Sequence, residues 1–246
     1  MASSVIASWR VRATALAVAC MSFCVHPGTA AAGAPGNTGL LIFAGTDFSA
    51  FGSFLDGGLL WSPGGLDADG FTFKALLNGG GYTYHSDGLH ASVDGTLLSA
   101  AVLPGWRFTR NRVTVTLFAG PTVQNYQLTP FDPGSRLHGF YVGALVAADI
   151  WYQPSSATMI ALNGAVASVG PTGSLRGAFG VRLFGQAYVG PEAQELWCGD
   201  YDEVRLGAQA TVLHVGASDW AAAAGWSMTS DQRSGPYLRL GIDARY

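Results

Sequence analysis

Charge is scarce in this chain, and its scarcity excludes several classes of protein. Only 12% of the 246 residues are Asp, Glu, Lys or Arg, about half the fraction of an ordinary soluble domain. Disordered segments need high charge, and coiled coils need many Glu, Lys and Leu residues. With one lysine, Lys74, and a net charge of −3, nucleic acid is not an expected partner.

Cysteine is scarce as well, and two of the three cysteines lie in a predicted export signal. Arg10 and Arg12 precede the uncharged apolar stretch 13–24, and small residues at 30–32 offer a cleavage site. This order is typical of a secretory signal peptide, and the apolar stretch is shorter than the roughly 20 residues of a spanning helix. Lipoprotein attachment through Cys20 is a weaker alternative. We expect a signal peptide at 1–32 and one exported domain at 33–246, in which Cys198 has no partner for a disulfide.

Glycine, by contrast, is abundant, and the glycines fall within segments whose apolar residues alternate. The 34 glycines show no period of three, which excludes collagen. From 175 to 189 the odd positions are mostly apolar and the even positions polar or small, and similar alternation recurs to the C-terminus. A period of two predicts β-strands. The predicted strands are 40–50, 53–61, 70–84, 96–109, 112–127, 138–151, 157–169, 174–189, 203–215, 219–229 and 236–246.

Strand length distinguishes a membrane barrel from a soluble sandwich or lipocalin-like barrel. The alternating segments reach about 10 to 15 residues, as membrane strands require, whereas soluble strands are commonly nearer five or six. Aromatic residues recur near the strand ends, which is typical of the girdles at membrane interfaces. These aromatic residues are Trp61, Tyr82, Tyr84, Trp106, Trp151, Tyr152, Tyr188, Trp220, Tyr237 and Tyr246.

The last predicted strand favours the membrane barrel. It ends the chain at Tyr246, and the alternate positions before it, Ala244, Ile242, Leu240 and Leu238, are all apolar. This pattern resembles the C-terminal signal of bacterial outer-membrane barrels, which the barrel assembly machinery recognises. We therefore predict an all-β, transmembrane antiparallel up-and-down barrel in the bacterial outer membrane, with outer-membrane lipid and that machinery as partners.

A barrel whose two termini both face the periplasm has an even number of strands. The alternation gives eleven predicted strands, so this count cannot be correct. Twelve strands are predicted if 82–94 hides a short extra strand, and ten if two early segments are one. Counting back from the C-terminus makes 190–202 an extracellular loop. The turns at 170–173 and 216–219 are then periplasmic.

Several loop and turn sequences point to one known family. They are Asp69-Gly70-Phe71, Leu103-Pro104-Gly105-Trp106-Arg107, Gly190-Pro191-Glu192, Asp200-Tyr201-Asp202, Arg205-Leu206-Gly207-Ala208, Ala224-Gly225-Trp226, Leu240-Gly241 and the segment 230–237. Together they resemble the cellulose biosynthesis protein BcsS family, over about residues 39–246. The resemblance implies an outer-membrane accessory of cellulose production or secretion, with cellulose or other synthase components as candidate partners and no catalytic residue to carry over.

The candidate site consists of polar side chains at the alternate strand positions that face the interior of the barrel. Arginine inside a barrel must pair with acids or face water, so these residues form either an ion-paired filled interior or a narrow wet one in which tyrosines could stack on sugar rings. A barrel of this size is narrow for a whole cellulose chain. The predicted lumen residues are Arg176, Arg182, Gln186, Tyr188, Arg205, Gln209, Tyr237, Arg239, Asp243 and Arg245.

Catalysis and metal binding receive little support from the residues. The four histidines after the signal, His85, His90, His138 and His214, lie in no recognisable serine-nucleophile motif. The acidic residues between 192 and 203 could bind Ca²⁺, although a solvated acidic loop is the simpler interpretation. We predict a protein without enzymatic activity, metal or cofactor. The alternatives are a small pore or structural barrel, and a lipid- or glycan-modifying enzyme.

Overall fold

The chain forms a closed antiparallel β-barrel of twelve strands. The computed structural model describes residues 39–86, 88–170, 172–198 and 201–246, so the predicted signal peptide lies outside the described residues. Each strand pairs with its neighbours in the sequence, which is an up-and-down order. The strands are β1 (Leu40–Ser49), β2 (Gly52–Trp61), β3 (Gly70–Ser86), β4 (Ala91–Arg110), β5 (Val113–Thr129), β6 (Gly139–Ser155), β7 (Thr158–Ala167), β8 (Thr172–Phe184), β9 (Ala187–Cys198), β10 (Tyr201–Val215), β11 (Ser218–Thr229) and β12 (Ser234–Arg245).

The barrel closes where the first strand meets the last. β1 and β12 pair antiparallel from Leu41 opposite Arg245 to Ser49 opposite Tyr237. Leu40 and Tyr246 extend this pairing, because the main-chain N–H of each donates to the carbonyl of the other at 3.0 and 2.8 Å. Closure leaves no unpaired strand edge, which is the condition for crossing lipid with strands. In the part of the chain that is described, no helix is long and apolar enough to cross a membrane.

The prediction of twelve strands is confirmed, but the position of the unassigned strand was wrong. The extra strand does not lie in 82–94, where β3 continues to Ser86 and β4 begins at Ala91. It is β9, which occupies most of the segment predicted as the extracellular loop 190–202. The predicted strand 174–189 instead contains most of β8, a turn and the start of β9.

A register shift beside the turn explains why the sequence concealed this hairpin. Phe184 pairs with Ala187, and only Gly185 and Gln186 lie between them. Because paired residues share a face, a two-residue turn alone would reverse the parity of the outward positions. The register shift between Arg182 and Phe184 restores it, so that Arg182 pairs with Tyr188 and the alternation continues through the hairpin unbroken. Gly185 has a φ of 57°, a conformation that glycine adopts without steric cost.

The extra strand changes the side on which one of the two predicted periplasmic turns lies. The start of β1 and the end of β12 lie at one end of the barrel, which we call the terminal end, with the β2–β3, β4–β5, β6–β7, β8–β9 and β10–β11 connections. The 216–219 turn is at this end, as predicted. The 170–173 turn joins β7 to β8 at the opposite end, called here the far end, so its predicted placement beside the termini is wrong.

Outward-facing side chains form an apolar band around the barrel, and its height matches the thickness of a membrane's hydrocarbon layer. Outward-facing residues of β4 are apolar from Leu98 to Phe108, with polar Thr96 above them and Arg110 below. Ten residues of strand at about 3.3 Å each, tilted by about 40°, span about 25 Å, which matches the apolar band of membrane barrels. Of the five prolines within the described strands, Pro154 is half-buried near the end of β6, and the other four face outward and are exposed: Pro104, Pro121, Pro191 and Pro236.

The aromatic residues divide between the two surfaces of the wall. Exposed outward rings form a girdle at the terminal end, and they include Trp61, Phe71, Trp106, Tyr152, Trp220 and Tyr246. Five residues that the sequence grouped with them are instead buried in the interior: Tyr82, Tyr84, Trp151, Tyr188 and Tyr237. The girdle is therefore real, but about half of its predicted members pack inside the barrel.

An irregularity in β10 reverses the alternation near the terminal end. The register with β11 shifts between Ala210 and Leu213, and Val212 has a φ of 58°, which is uncommon for a β-branched residue. Thr211 and Val212 are consequently both buried. Strict alternation along β10 would place Val212 on the outer face of the barrel. It packs instead with Trp151, Met159 and Tyr188 in the interior.

Candidate functional site

Glu192 of β9 is the centre of a buried ionic cluster inside the barrel. Its Oε2 accepts hydrogen bonds from Nε of Arg176 at 3.0 Å and from Nη2 of Arg239 at 2.5 Å. Its Oε1 accepts a hydrogen bond from the Tyr237 hydroxyl at 2.9 Å. The Glu192 side chain has no exposed surface. Two guanidinium groups and a phenol thus compensate a carboxylate that burial alone would disfavour.

A chain of bonds continues from this cluster around the interior. Arg176 Nη1 donates to Oδ1 of Asn163 at 3.3 Å, and Asn163 Nδ2 donates to Oδ1 of Asp149 at 3.3 Å. The other oxygen of Asp149 accepts from Nζ of Lys74 at 2.6 Å. Lys74, the only lysine in the chain, also lies 4.1 Å from the ring centroid of Phe118. The bonds connect β3 with β6, β7, β8 and β9.

A second ionic cluster joins β10 to β1. Arg205 donates through Nη1 to Asp47 at 2.6 Å and through Nε to Glu203 at 2.7 Å. All three side chains are almost fully buried. In each of the ion pairs Arg205–Asp47, Lys74–Asp149 and Arg239–Glu192, the two partners belong to strands three apart around the closed barrel. These pairs therefore cross the interior instead of following the wall.

Two glycines make room for Tyr237, whose hydroxyl binds Glu192 in the first ionic cluster. Tyr237 projects from β12 over β11 and β10 to reach Glu192 on β9. A Cβ atom at Gly225 would lie 2.8 Å from its ring, and one at Gly207 would also clash with its hydroxyl. Part of the glycine abundance therefore reflects space for large interior side chains.

The structure places six of the predicted lumen residues at inward-facing sites, where Arg176 is half-buried and the other five are buried. Arg176, Arg205, Tyr237 and Arg239 belong to the two ionic clusters. Gln209 is 3% exposed and its Nε2 donates to the carbonyl of Phe179 at 3.4 Å. Tyr188 is 2% exposed, and its hydroxyl accepts hydrogen bonds from Gln153 at 2.9 Å and Arg182 at 2.5 Å.

The other four predicted lumen residues lie towards the terminal end. Arg182 is exposed, and Gln186 is an exposed residue of the β8–β9 turn, not of a strand. Asp243 is 8% exposed and pairs across the sheet with Asp219. Arg245 lies 3.7 Å from Asp67 of the β2–β3 connection.

Sequence reasoning missed the partners that neutralise these arginines. Asp47, Lys74, Asp149 and Asn163 each stand alone in an otherwise apolar or small segment, and Glu192 was assigned to a loop. An isolated charge at an inward position of a strand was the available signal. It identifies a buried ionic group without revealing its partner, because partners three strands away are far apart in sequence.

The far end of the barrel is covered by the connection between β5 and β6. Leu137 is 4% exposed and packs with the interior residues Tyr84, Tyr126 and Val169. Asp132 is 2% exposed; its carboxylate accepts from the Tyr84 hydroxyl at 3.0 Å and from the Gly134 N–H at 2.9 Å. Burial raises the pKa of the Asp132 carboxyl, but hydrogen bonds from Gly134, Ser86 and Tyr84 outweigh it, and the pKa is below its ordinary value.

The acidic residues considered for Ca²⁺ are not one loop. Glu192 and Glu203 face inward and bind arginines, whereas Glu195 and Asp202 are exposed. Asp200 lies outside the described residues. Within the described ranges, no three His, Cys, Asp or Glu side chains are grouped so as to hold a metal ion.

The histidines are dispersed over both ends of the barrel. His85 and His90 are exposed at the far end, as is His138, whose Nδ1 lies 3.3 Å from the carbonyl of Ser135. His214 lies at the terminal end with its Nδ1 2.6 Å from Asp219. No two of these histidines are joined by a described contact.

The residues of the predicted assembly signal form one outward row on β12. Leu238 and Leu240 are 42% and 37% exposed, Ile242 and Ala244 are half-buried, and Tyr246 is 67% exposed. Their side chains face lipid while the backbone of β12 closes the barrel on β1.

The fold and the site together define a class: a twelve-stranded membrane-type barrel whose interior is crossed by buried ion pairs. A family model, cellulose biosynthesis protein BcsS, matches residues 41–246. The chain belongs to this family, which confirms the resemblance carried by its turn sequences.

Solved structures show the same kind of fold at low sequence identity. The β domain of the Bordetella autotransporter BrkA has 14% identity and a TM-score of 0.51, covering 86% of this chain and 100% of that one. The translocator domain of the autotransporter NalP from Neisseria meningitidis has 15% identity and a TM-score of 0.49, covering 85% and 89%. The KdgM porin has 11% identity and a TM-score of 0.44, covering 84% and 99%. No curated protein matches the chain.

Proposed function

We propose that this protein is a non-enzymatic outer-membrane accessory of bacterial cellulose biosynthesis or secretion. Membership of the BcsS family supports the connection with cellulose. The closed barrel, its apolar band and the fold that it shares with the β domain of the autotransporter BrkA support the location. The barrel assembly machinery and outer-membrane lipid are its proposed partners at that location.

The observation that carries the mode of action is the set of ion pairs across the interior. Arg239–Glu192, Lys74–Asp149 and Arg205–Asp47 connect strands three apart and are buried. Breaking a buried pair by removing one partner costs about 3–5 kcal/mol, so the pairs hold the wall in one arrangement. This favours a protein that acts through its loops and outer rim over one that conducts a glucan chain through its lumen.

Deletion of the gene with complementation tests the proposal. Extracellular cellulose, measured as acid-insoluble glucose, should fall in the deletion strain and return with the wild-type gene. Abundance of the synthase subunits serves as the control, because an accessory should change cellulose output without changing synthase levels. Unchanged cellulose in the deletion strain would contradict the proposal.

Planar-bilayer recording distinguishes the accessory from a small general pore. The wild-type barrel should show little steady conductance, because charged side chains bonded across the interior obstruct ions and water. Large, stable, ohmic steps from the pure protein would favour a pore instead.

Replacing His85, His90, His138 and His214 together tests histidine-based lipid or glycan chemistry. The variant should keep cellulose output, because no described contact joins two of these histidines and all four lie outside the ionic clusters. Loss of output from a correctly assembled variant would support an enzyme.

A further inference from the structure

A cleft lies on the outer rim of the barrel at the far end, above the apolar band. It is bounded by the β1–β2 turn and by the outward face of β3 and β4, and its volume is about 460 Å³. Clefts of about 300–1,000 Å³ are typical of small-ligand sites. The lining includes Phe48, Phe51, Thr83, Asp94 and Thr96.

Glycine creates the floor of this cleft. Gly81 lies in β3 at an outward position, and a Cβ there would have only one neighbour within 4 Å, the carbonyl of Gly95 at 3.7 Å. The space above Gly81 is therefore not required for packing of the barrel. Gly95 does serve packing, because a Cβ on it would collide with the ring of Tyr82.

The polar groups of the cleft are held in place by one another. Thr83 donates its hydroxyl to Oδ1 of Asp94 at 2.8 Å. Arg233, from the β11–β12 turn, is not a lining residue but borders the cleft, because it donates to the carbonyl of Thr83 at 3.2 Å; it also pairs with Asp231 at 2.6 Å. Its guanidinium carbon lies 4.5 Å from the ring centroid of Phe51. Three separate turns and strands thus fix an aromatic ring, a guanidinium and a carboxylate at one place.

This combination suits the chemistry of a neutral sugar. Carboxylate and guanidinium groups exchange hydrogen bonds with hydroxyls, and a phenyl ring packs against the C–H face of a pyranose. Because Arg233 is paired with Asp231, the formal charge that remains in the cleft is that of Asp94. A net negative cleft disfavours phosphorylated or acidic sugars.

We propose that this cleft, called here the rim cleft, binds a segment of a β-1,4-glucan chain outside the barrel. The proposal rests on the proposed function for the identity of the glucan, and it adds the place of contact. The chain lies along the rim, beside Phe51, with its hydroxyls bonded to Asp94 and Arg233.

Calorimetric titration of cellohexaose into the full-length mature barrel in phosphatidylcholine nanodiscs tests the proposal. The wild-type protein should bind, and Asp94→Asn and Arg233→Ala should each bind roughly tenfold more weakly, as expected for the loss of a charge-assisted hydrogen bond. Gly81→Val should abolish binding by occupying the cleft, while strand preference and open space let the barrel fold.

Matched controls separate the rim cleft from general effects. Gly79→Val places the same side chain two residues along the outward face of β3, and Arg136→Ala removes an exposed arginine from another far-end loop. Both should bind cellohexaose as the wild type does. Maltohexaose, which has α-linkages, should bind less well than cellohexaose.

Several outcomes would overturn the site. The first three are a wild-type protein that does not bind cellohexaose, a Gly81→Val variant that binds it as well as the wild type, and equal binding of maltohexaose. The fourth is a cleft that holds lipid instead: lipopolysaccharide displaces cellohexaose from the wild type, and the variants selectively lose lipopolysaccharide binding. The deletion strain reports separately on the proposed function. Reduced cellulose in that strain with unaffected binding by Gly81→Val would remove the rim cleft and leave the accessory role in place.

Discussion

Arg239 of β12 and Glu192 of β9 form an ion pair of 2.5 Å across the barrel interior. Glu192 also binds Arg176 and Tyr237, so one carboxylate unites strands β8, β9 and β12. Because the side chain of Glu192 is fully buried, water cannot substitute for it. Loss of this carboxylate would therefore leave its partners without compensation inside the barrel.

Glu192→Gln should destabilise the barrel by about 3–5 kcal/mol, because it leaves two buried guanidinium groups without their shared carboxylate. Urea unfolding in lipid vesicles, followed by tryptophan fluorescence, measures the change. Glu195→Gln is the control, since Glu195 is exposed on the same strand and should change stability by less than about 0.5 kcal/mol. Equal stability of the two variants would show that the buried pair contributes little.

Leu137→Ala should release the loop that covers the far end. Truncating a buried leucine costs about 2 kcal/mol or more, which raises the open fraction of the loop roughly thirtyfold. Trypsin cleavage after the exposed Arg136 should accelerate correspondingly. Phe131→Ala, at a residue of the same loop that is 58% exposed, should leave the cleavage rate nearly unchanged, and a similar acceleration in both variants would argue against Leu137 as the anchor.

Asp132 gives the same loop a defined pH dependence. The pKa of its carboxyl is below the ordinary value in the folded protein, so its contribution to stability is present above the unfolded pKa of about 3.9 and is lost as pH falls through the folded pKa. Asp132→Asn should lower the melting temperature at neutral pH and have little effect below about pH 3. Asp202→Asn, at an exposed carboxylate, is the comparison. A deficit in Asp132→Asn that persists unchanged in acid would contradict this account.

Tyr246 tests the predicted assembly signal separately from barrel closure. Tyr246→Ala keeps the main-chain bonds to Leu40 and removes an exposed ring. We expect less heat-modifiable barrel in the outer-membrane fraction, with nearly normal stability of the molecules that do assemble. Tyr152→Ala removes another outward ring at the same end and should assemble as the wild type does. Equal yields from the two variants would contradict a special role for the terminal aromatic.

Prediction from sequence succeeded where the signal is local and failed where turns or distant contacts decide. Alternation identified β5 and β12 almost to their ends. Gly190-Pro191 indicated a loop, yet Pro191 faces outward within β9. Tyr188 and Trp151 were assigned to girdles because an aromatic residue near a strand end suits either face of the wall.

The amino-acid sequence by itself determined that this chain is a lipid-facing barrel, because a period of two fixes which residues share a face and the scarcity of charge leaves one face apolar. It also placed Arg176, Arg205 and Arg239 on the other face. Only the tertiary structure decided what those arginines do, since their partners Glu192 and Asp47 meet them through closure of the sheet. Closure of the barrel brings side chains of strands three apart within hydrogen-bonding distance. The alternation of residues along one strand contains no information about that distance.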